Sequence, residues 1–225
     1  MPVNVAFTPA EAAPASVGVV VDVLRATSTI AQALASGYER ILCCAEIDEA
    51  RALRAELPDS LLGGERQAIR VEGFDVGASP REFLEARAST LILSTTNGTR
   101  AILETARRCD HVLLGSLLNL SAVARAAAGA DVVIVCAGFQ GGFALDDVYC
   151  AGRIVQLLEG ERTHAATATE LLARAFPRAL DGLNARTYGP PGLEDDIAYC
   201  AQEDLLDVVP ELTGTAGAAS EIRLT

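Results

Sequence analysis

The stretch that most constrains this chain is Val17-Gly-Val-Val-Val-Asp-Val-Leu24. A nearly unbroken run of β-branched residues fits a strand buried on both faces of a parallel sheet. One charge interrupts it, Asp22, and Arg25 follows where the strand should end. Thr27-Ser28-Thr29 then opens a helix whose inner stripe is Ile30, Ala33, Leu34 and Gly37, at helical spacing. The strand thus delivers a carboxylate, a guanidinium and hydroxyls to a helix N-terminus. Free N–H groups and the positive dipole end favour an anion there, and Arg25 can hold a phosphate in bidentate fashion. The same residues also fit a plain cap, with an Arg–Asp pair that only tidies the turn.

The pattern recurs. Thr90 to Ser94 reads as a second buried strand, ending in Thr95-Thr96-Asn97-Gly98-Thr99 before a helix from about Arg100 to Arg107. Two hydroxyl-rich turns in one sheet point to a shared site, because ligands of open α/β sheets sit beyond the carboxyl ends of strands. Further strands are expected at Val3 to Phe7, Arg40 to Ala45, Leu61 to Glu65, His111 to Ser116 and Asp131 to Ala137. Helices are expected over Glu46 to Glu56, from about Asn119, and over Val148 to Glu159. Asp146 and Asp147 precede the last of these, where acids are favoured in any helix. Ser79-Pro80-Arg81-Glu82 has capping-box spacing and predicts a helix to about Ala88. Beyond Gly160, helices at 165–174, 178–184 and 193–206, with a loop at 188–192, read as a helical cap (161–210) on a single domain spanning 1–225.

Composition removes several chemistries. The chain has 225 residues, half of them apolar, enough for one large core, and an apolar excess that leaves a homo-oligomer interface open. A net charge of −12 argues against nucleic acid and anionic membranes. Every cation is an arginine, so a P-loop and Schiff-base chemistry are excluded. With only His111 and His164, a multi-histidine metal centre is excluded too. No apolar run is long enough to span a bilayer, no basic signal region opens the chain, and the six cysteines lie mostly inside strand-like or helix-like segments. A cytoplasmic protein with reduced thiols is therefore expected, with Cys136 and Cys200 read as packing residues rather than nucleophiles. No Cys-x5-Arg, no Asp-x-Asp at the first strand end, no Gly-x-Gly-x-x-Gly and no Gly-x-Ser-x-Gly is present. Acids, hydroxyls and arginine at strand ends remain. That set suits a hard cation such as Mg²⁺ with a phosphate beside it.

Six segments occur in a telling order: Asp-Val-Leu-Arg-Ala-Thr-Ser-Thr at 22–29, Gly-Glu-Arg at 64–66, Gly-Ala-Ser-Pro at 77–80, Thr-Thr-Asn-Gly-Thr at 95–99, Cys-Ala-Gly at 136–138 and Leu-Asp-Asp at 145–147. Together they resemble the motif series of the 2-phosphosulfolactate phosphatases, and Asp196-x3-Cys200-x3-Asp204 fits the family's tail. The resemblance implies a three-layer α/β/α sandwich with a mostly parallel, mixed sheet. It also implies a Mg²⁺-dependent phosphomonoesterase acting on a small anionic 2-phospho-hydroxy acid, in the route to coenzyme M. On that reading Arg25, Thr27, Ser28, Ser79 and the turn Thr95, Thr96, Asn97, Gly98 and Thr99 hold the phosphate or the acidic tail. Asp22, Glu65 and Asp147 hold Mg²⁺ or activate water, with Asp22, Arg25 and Asp147 the catalytic set; Asp22 as metal ligand or as aspartyl nucleophile is left open. One residue departs from the pattern: Ala78 stands where the family usually has Asn. A non-catalytic anion-binding protein, or a Mg²⁺-dependent hydrolase of another ester, are the competing readings.

Overall fold

The computed structural model describes residues 1–184 and 192–225, so the expected loop at 188–192 falls outside the described residues except for Gly192. Strands are β1 (Pro2–Ala6), β2 (Ala15–Val21), β3 (Arg40–Cys43), β4 (Leu61–Arg66), β5 (Ile69–Arg70), β6 (Thr90–Ser94), β7 (Cys109–Gly115), β8 (Val132–Cys136), β9 (Glu161–Arg162), β10 (Pro210–Ala216) and β11 (Ala219–Leu224). Helices are α1 (Ala26–Ala35), α2 (Ile47–Glu56), α3 (Gly98–Ala106), α4 (Leu120–Ala127), α5 (Leu145–Leu157), α6 (His164–Ala175), α7 (Ala179–Asn184) and α8 (Leu193–Cys200).

The strands form one mixed sheet, ordered β5-β4-β6-β3-β11-β10-β7-β2-β8-β1-β9. β2 sits between β7 and β8, parallel to both, and needs apolar residues on each face. Val17, Val19 and Val21 pack against Val123 of α4 and Ile154 of α5 on one side. Val20 packs with Ile30 of α1 and Ile102 of α3 on the other. The expected three-layer α/β/α sandwich is present.

The C-terminal end of the chain differs from expectation. β10 and β11 form an antiparallel hairpin in the middle of the sheet, with β11 on β3 and β10 on β7. Three antiparallel pairings in succession mean that β4-β6-β3 runs opposite to β7-β2-β8-β1. Two predicted helices are also shorter than expected. After Ser79 only a 3-10 turn forms, Pro80–Phe83, because Pro80 and Phe83 are buried but Leu84 is left exposed. An apolar stripe that would carry the helix onward is missing. α8 stops at Cys200, where the backbone turns to pair elsewhere: Asp204 N–H donates to Leu117 O and Leu206 N–H to Leu118 O. No helix among the described residues is long and apolar enough to cross a membrane.

Candidate active site

Three helices begin at one cleft of about 900 Å³: α1 after Arg25, α3 after Asn97 and α5 after Ala144. None of their N-cap residues closes the helix with its own side chain, although Thr99 N–H of α3 donates to Thr95 Oγ1 and Thr27 N–H of α1 to Asp22 O. Their positive dipole ends and first-turn amides therefore suit an anion at this cleft. The β2 and β6 turns do meet, as expected, though their strands lie five positions apart in oppositely directed halves of the sheet. Strand-to-strand twist accumulates to roughly 100° over that distance, which brings the two ends towards each other. Gly98 makes the approach possible. A Cβ there would fall 2.4 Å from the Ala26 Cβ and 2.7 Å from Asp22 Oδ2.

Four carboxylates line the cleft, Asp22, Glu65, Asp146 and Asp147, against the Arg25 guanidinium. Asp147, 3% exposed, ties the ends of β2 and β8 together. Its Oδ1 accepts from Val23 N–H at 2.9 Å and its Oδ2 from Gly138 N–H at 3.0 Å. Burial above all, then the charges of Asp146 and Asp22, push its carboxyl well above the usual carboxylate range. Glu65 has another job. Its Oε2 accepts from Ala68 N–H at 2.6 Å and its Oε1 from Thr96 N–H at 2.8 Å, so it joins the β4–β5 turn to the start of α3. That turn is strained, with Gln67 and Ala68 at φ of 54° and 64° where Asn-Gly is usual.

Among the described residues no three or more His, Cys, Asp or Glu side chains are grouped to hold a metal. Asp22, Glu65 and Asp147 all line the cleft but do not form such a group, and both oxygens of Glu65 and both of Asp147 already accept backbone N–H groups. Mg²⁺ usually takes one or two carboxylates and completes its shell with water and phosphate, so it does not require a carboxylate cage.

The hydroxyls divide. Thr95, Thr96 and Asn97 line the cleft, but Thr27, Ser28, Thr99 and Ser79 do not. Thr27 Oγ1 donates to Asp22 O at 2.9 Å and accepts from Asp22 N–H at 3.0 Å, and Ser28 Oγ donates to Val23 O at 2.8 Å. Both side chains are fully buried, holding the β2–α1 turn rather than a phosphate. Thr99 Oγ1 lies 3.2 Å from Thr95 Oγ1, so its hydroxyl is likewise used internally. Ser79 donates to Asp196 Oδ1 at 2.5 Å. Asp196, in the sequence only part of the family's tail motif, and the apolar wall of Leu24, Phe139, Phe143 and Leu145 have no site role there; the fold brings Asp196 to Arg25 and the wall to the cleft.

The cysteines are unsuited to nucleophilic work. Burial pushes the Cys136 and Cys150 thiols well above their ordinary value and the Cys200 thiol to about 12. At pH 8 the native protein is expected to resist iodoacetamide at these positions, with half-buried Cys109 reacting first. Mass spectrometry of the alkylated chain checks this; fast labelling of Cys136 or Cys200 would restore a thiolate reading.

The model of the 2-phosphosulpholactate phosphatase family matches residues 5–215. The chain belongs to the 2-phosphosulfolactate phosphatase family. A probable 2-phosphosulfolactate phosphatase of Symbiobacterium thermophilum is 40% identical over 221 residues, covering 91% of this chain and 94% of its own. Relatives with the same description from Thermus thermophilus (39% over 213 residues, 89% of each chain) and Carboxydothermus hydrogenoformans (40% over 205 residues, 86% and 84%) agree with it. Membership places the chain among the phosphoric monoester hydrolases.

Proposed function

We propose that this chain is a Mg²⁺-dependent phosphomonoesterase that converts 2-phosphosulfolactate, or a related 2-phospho-hydroxy acid, to the hydroxy acid and phosphate, a reaction of coenzyme M biosynthesis. One observation carries the reading: three helix N-termini and Arg25 converge on a cleft whose other charged groups are all acids. The amides and Arg25 bind the anionic groups of such a substrate without lysine. The acids exclude a free polyanion unless a cation accompanies it.

Bound Mg²⁺ supplies charge neutralisation at the phosphoryl oxygens and a more acidic water. The chain's own residues do the rest. Arg25 and the α1 and α3 starts orient the phosphate, and Asp147 holds the floor of the cleft at Val23 and Gly138. Asp22, which lines the cleft, takes the proton of an attacking water or attacks phosphorus itself. In the water route the P–O bond to the substrate's C2 oxygen breaks as water adds to phosphorus. In the other route a phosphoaspartate forms as that bond breaks, and water then cleaves it to release phosphate and restore Asp22. In both the C2 oxygen takes up a proton. Ala78, at the cleft, lines the part of the wall where the family pattern has an amide.

Phosphate release from phosphosulfolactate, phospholactate and phosphoglycolate, with Mg²⁺ and with EDTA, tests the proposal. Release that requires Mg²⁺ and prefers the sulfonated ester is expected. A different preference would keep the chemistry and direct attention to Ala78. Ligand-induced thermal stabilisation without any release would favour a binding protein instead.

A further inference from the structure

We infer that Asp196, on α8 and outside the cleft lining, is the positioning residue for Arg25; this rests on the phosphate-binding reading above. The Asp196 side chain is 4% exposed and that of Arg25 10%, so the pair is nearly desolvated. A buried carboxylate is tolerable only with its partners in place, which makes the geometry strongly directional. Its two oxygens have separate duties. Oδ2 takes Arg25 Nη1 at 2.7 Å, and Oδ1 takes the Ser79 hydroxyl at 2.5 Å, which sets the plane of the carboxylate.

Arg25 is held from its other edge as well, by Nη2 donating to Ala68 O at 2.8 Å. Ala68 N–H is in turn held by Glu65, and Glu65 reaches Thr96. A continuous chain of hydrogen bonds therefore runs Asp196–Arg25–Ala68–Glu65–Thr96 and joins α8, the β4–β5 turn and the α3 start around the cleft. Electrostatics give the reason for an acid at its far end. Arg25 faces a cleft lined by Asp22, Glu65, Asp146 and Asp147. Without a competing anion behind it, the guanidinium would swing to one of those carboxylates, and both the phosphate donor and the acid would be lost to the reaction. Asp196 keeps them apart. α8 is seated to do so by a second tie, Tyr199 Oη donating to Gln32 Oε1 at 2.6 Å on α1.

The test compares Asp196→Asn, Arg25→Ala and the double variant in phosphate release, orthophosphate binding by calorimetry, and thermal melting. A misplaced binding group commonly costs on the order of 10²-fold, so Asp196→Asn should lose roughly 10- to 100-fold in kcat/KM. The loss should divide between KM and kcat as it does in Arg25→Ala, and orthophosphate should bind about tenfold more weakly. The double variant should be no worse than Arg25→Ala alone, because the two residues act as one unit. Wild-type kcat/KM in Asp196→Asn, or a further tenfold loss in the double variant, would overturn the assignment. If Asp196→Asn does not fold, Ser79→Ala removes the Oδ1 partner and should show the same KM and kcat pattern at about threefold; no change there would count equally against it. A wild type that turns over no ester yet binds orthophosphate refutes the hydrolase reading but still tests Asp196 through the binding arm. A wild type that does neither removes both.

Discussion

Asp22→Asn is expected to lower Mg²⁺-supported phosphate release by roughly 10³-fold while leaving the melting temperature within a few degrees of wild type. The activity should fall because the Asp22 carboxylate lines the cleft beside the α3 start, 2.7 Å from where a Gly98 Cβ would stand. An amide there can neither accept a proton at neutral pH nor form a phosphoaspartate, and it is a poor partner for a hard cation. The fold should survive because the local turn depends on the backbone of residue 22. Its N–H and C=O are both engaged by the Thr27 hydroxyl, and its C=O also accepts Thr27 N–H. Turnover of the variant at the wild-type rate would remove Asp22 from the mechanism. In the active enzyme, acid quenching with labelled substrate separates the two roles: phosphate bound covalently at Asp22 identifies a nucleophile, and its absence a ligand or base.

Deleting residues 208–225 is expected to abolish cooperative unfolding altogether. The hairpin joins the two halves of the sheet: Ser220, Glu221 and Ile222 face Cys43, Leu42 and Ile41, and Glu211 faces Leu113. Without it β3 and β7 become unpaired edges in the interior of an 11-stranded sheet. Ile222 is also fully buried in the core shared with Ile30, Leu91 and Leu114. Truncating that one side chain to alanine should cost about 2–5 kcal/mol, a large share of a typical stability of about 5–15 kcal/mol. Near-UV circular dichroism and calorimetry of both variants check this. A truncated chain with a sharp melting transition and native near-UV spectrum would show that the halves hold together through their helices.

Much of the site was legible because its signals are local. The β2 run, with Asp22 at its end and Arg25 just beyond, could hardly be anything but a buried strand delivering a charge to a turn. The β6 turn showed the same pattern, whereas Asp147 stood where acids are favoured in any helix and was marked only by the family resemblance. The hydroxyls misled for an equally local reason. Thr27 and Ser28 are the right type for a phosphate and also for stapling a turn, and here they close on Asp22 O and Val23 O. Glu65 lines the cleft as expected, but an acid at a strand end gives no sign that backbone amides will also bind it, as they do both Glu65 and Asp147.

The sequence by itself determined the layered α/β character, the absence of lysine and multi-histidine chemistry, and the acids and arginine at strand ends. Periodicity and residue type act over a few positions, and those properties depend on nothing more. The tertiary structure alone decided the central hairpin, the opposed directions of the two half-sheets, and the meeting of Arg25 with Asp196, 171 residues away along the chain. The segment around Gly214 and Ala216 carries little hydrophobic pattern, so its place in the sheet is set by its pairing with Glu221 and Ala219 of β11 rather than by its own propensity. Which acid holds Arg25 is likewise a matter of desolvated geometry, and no spacing in the sequence encodes it.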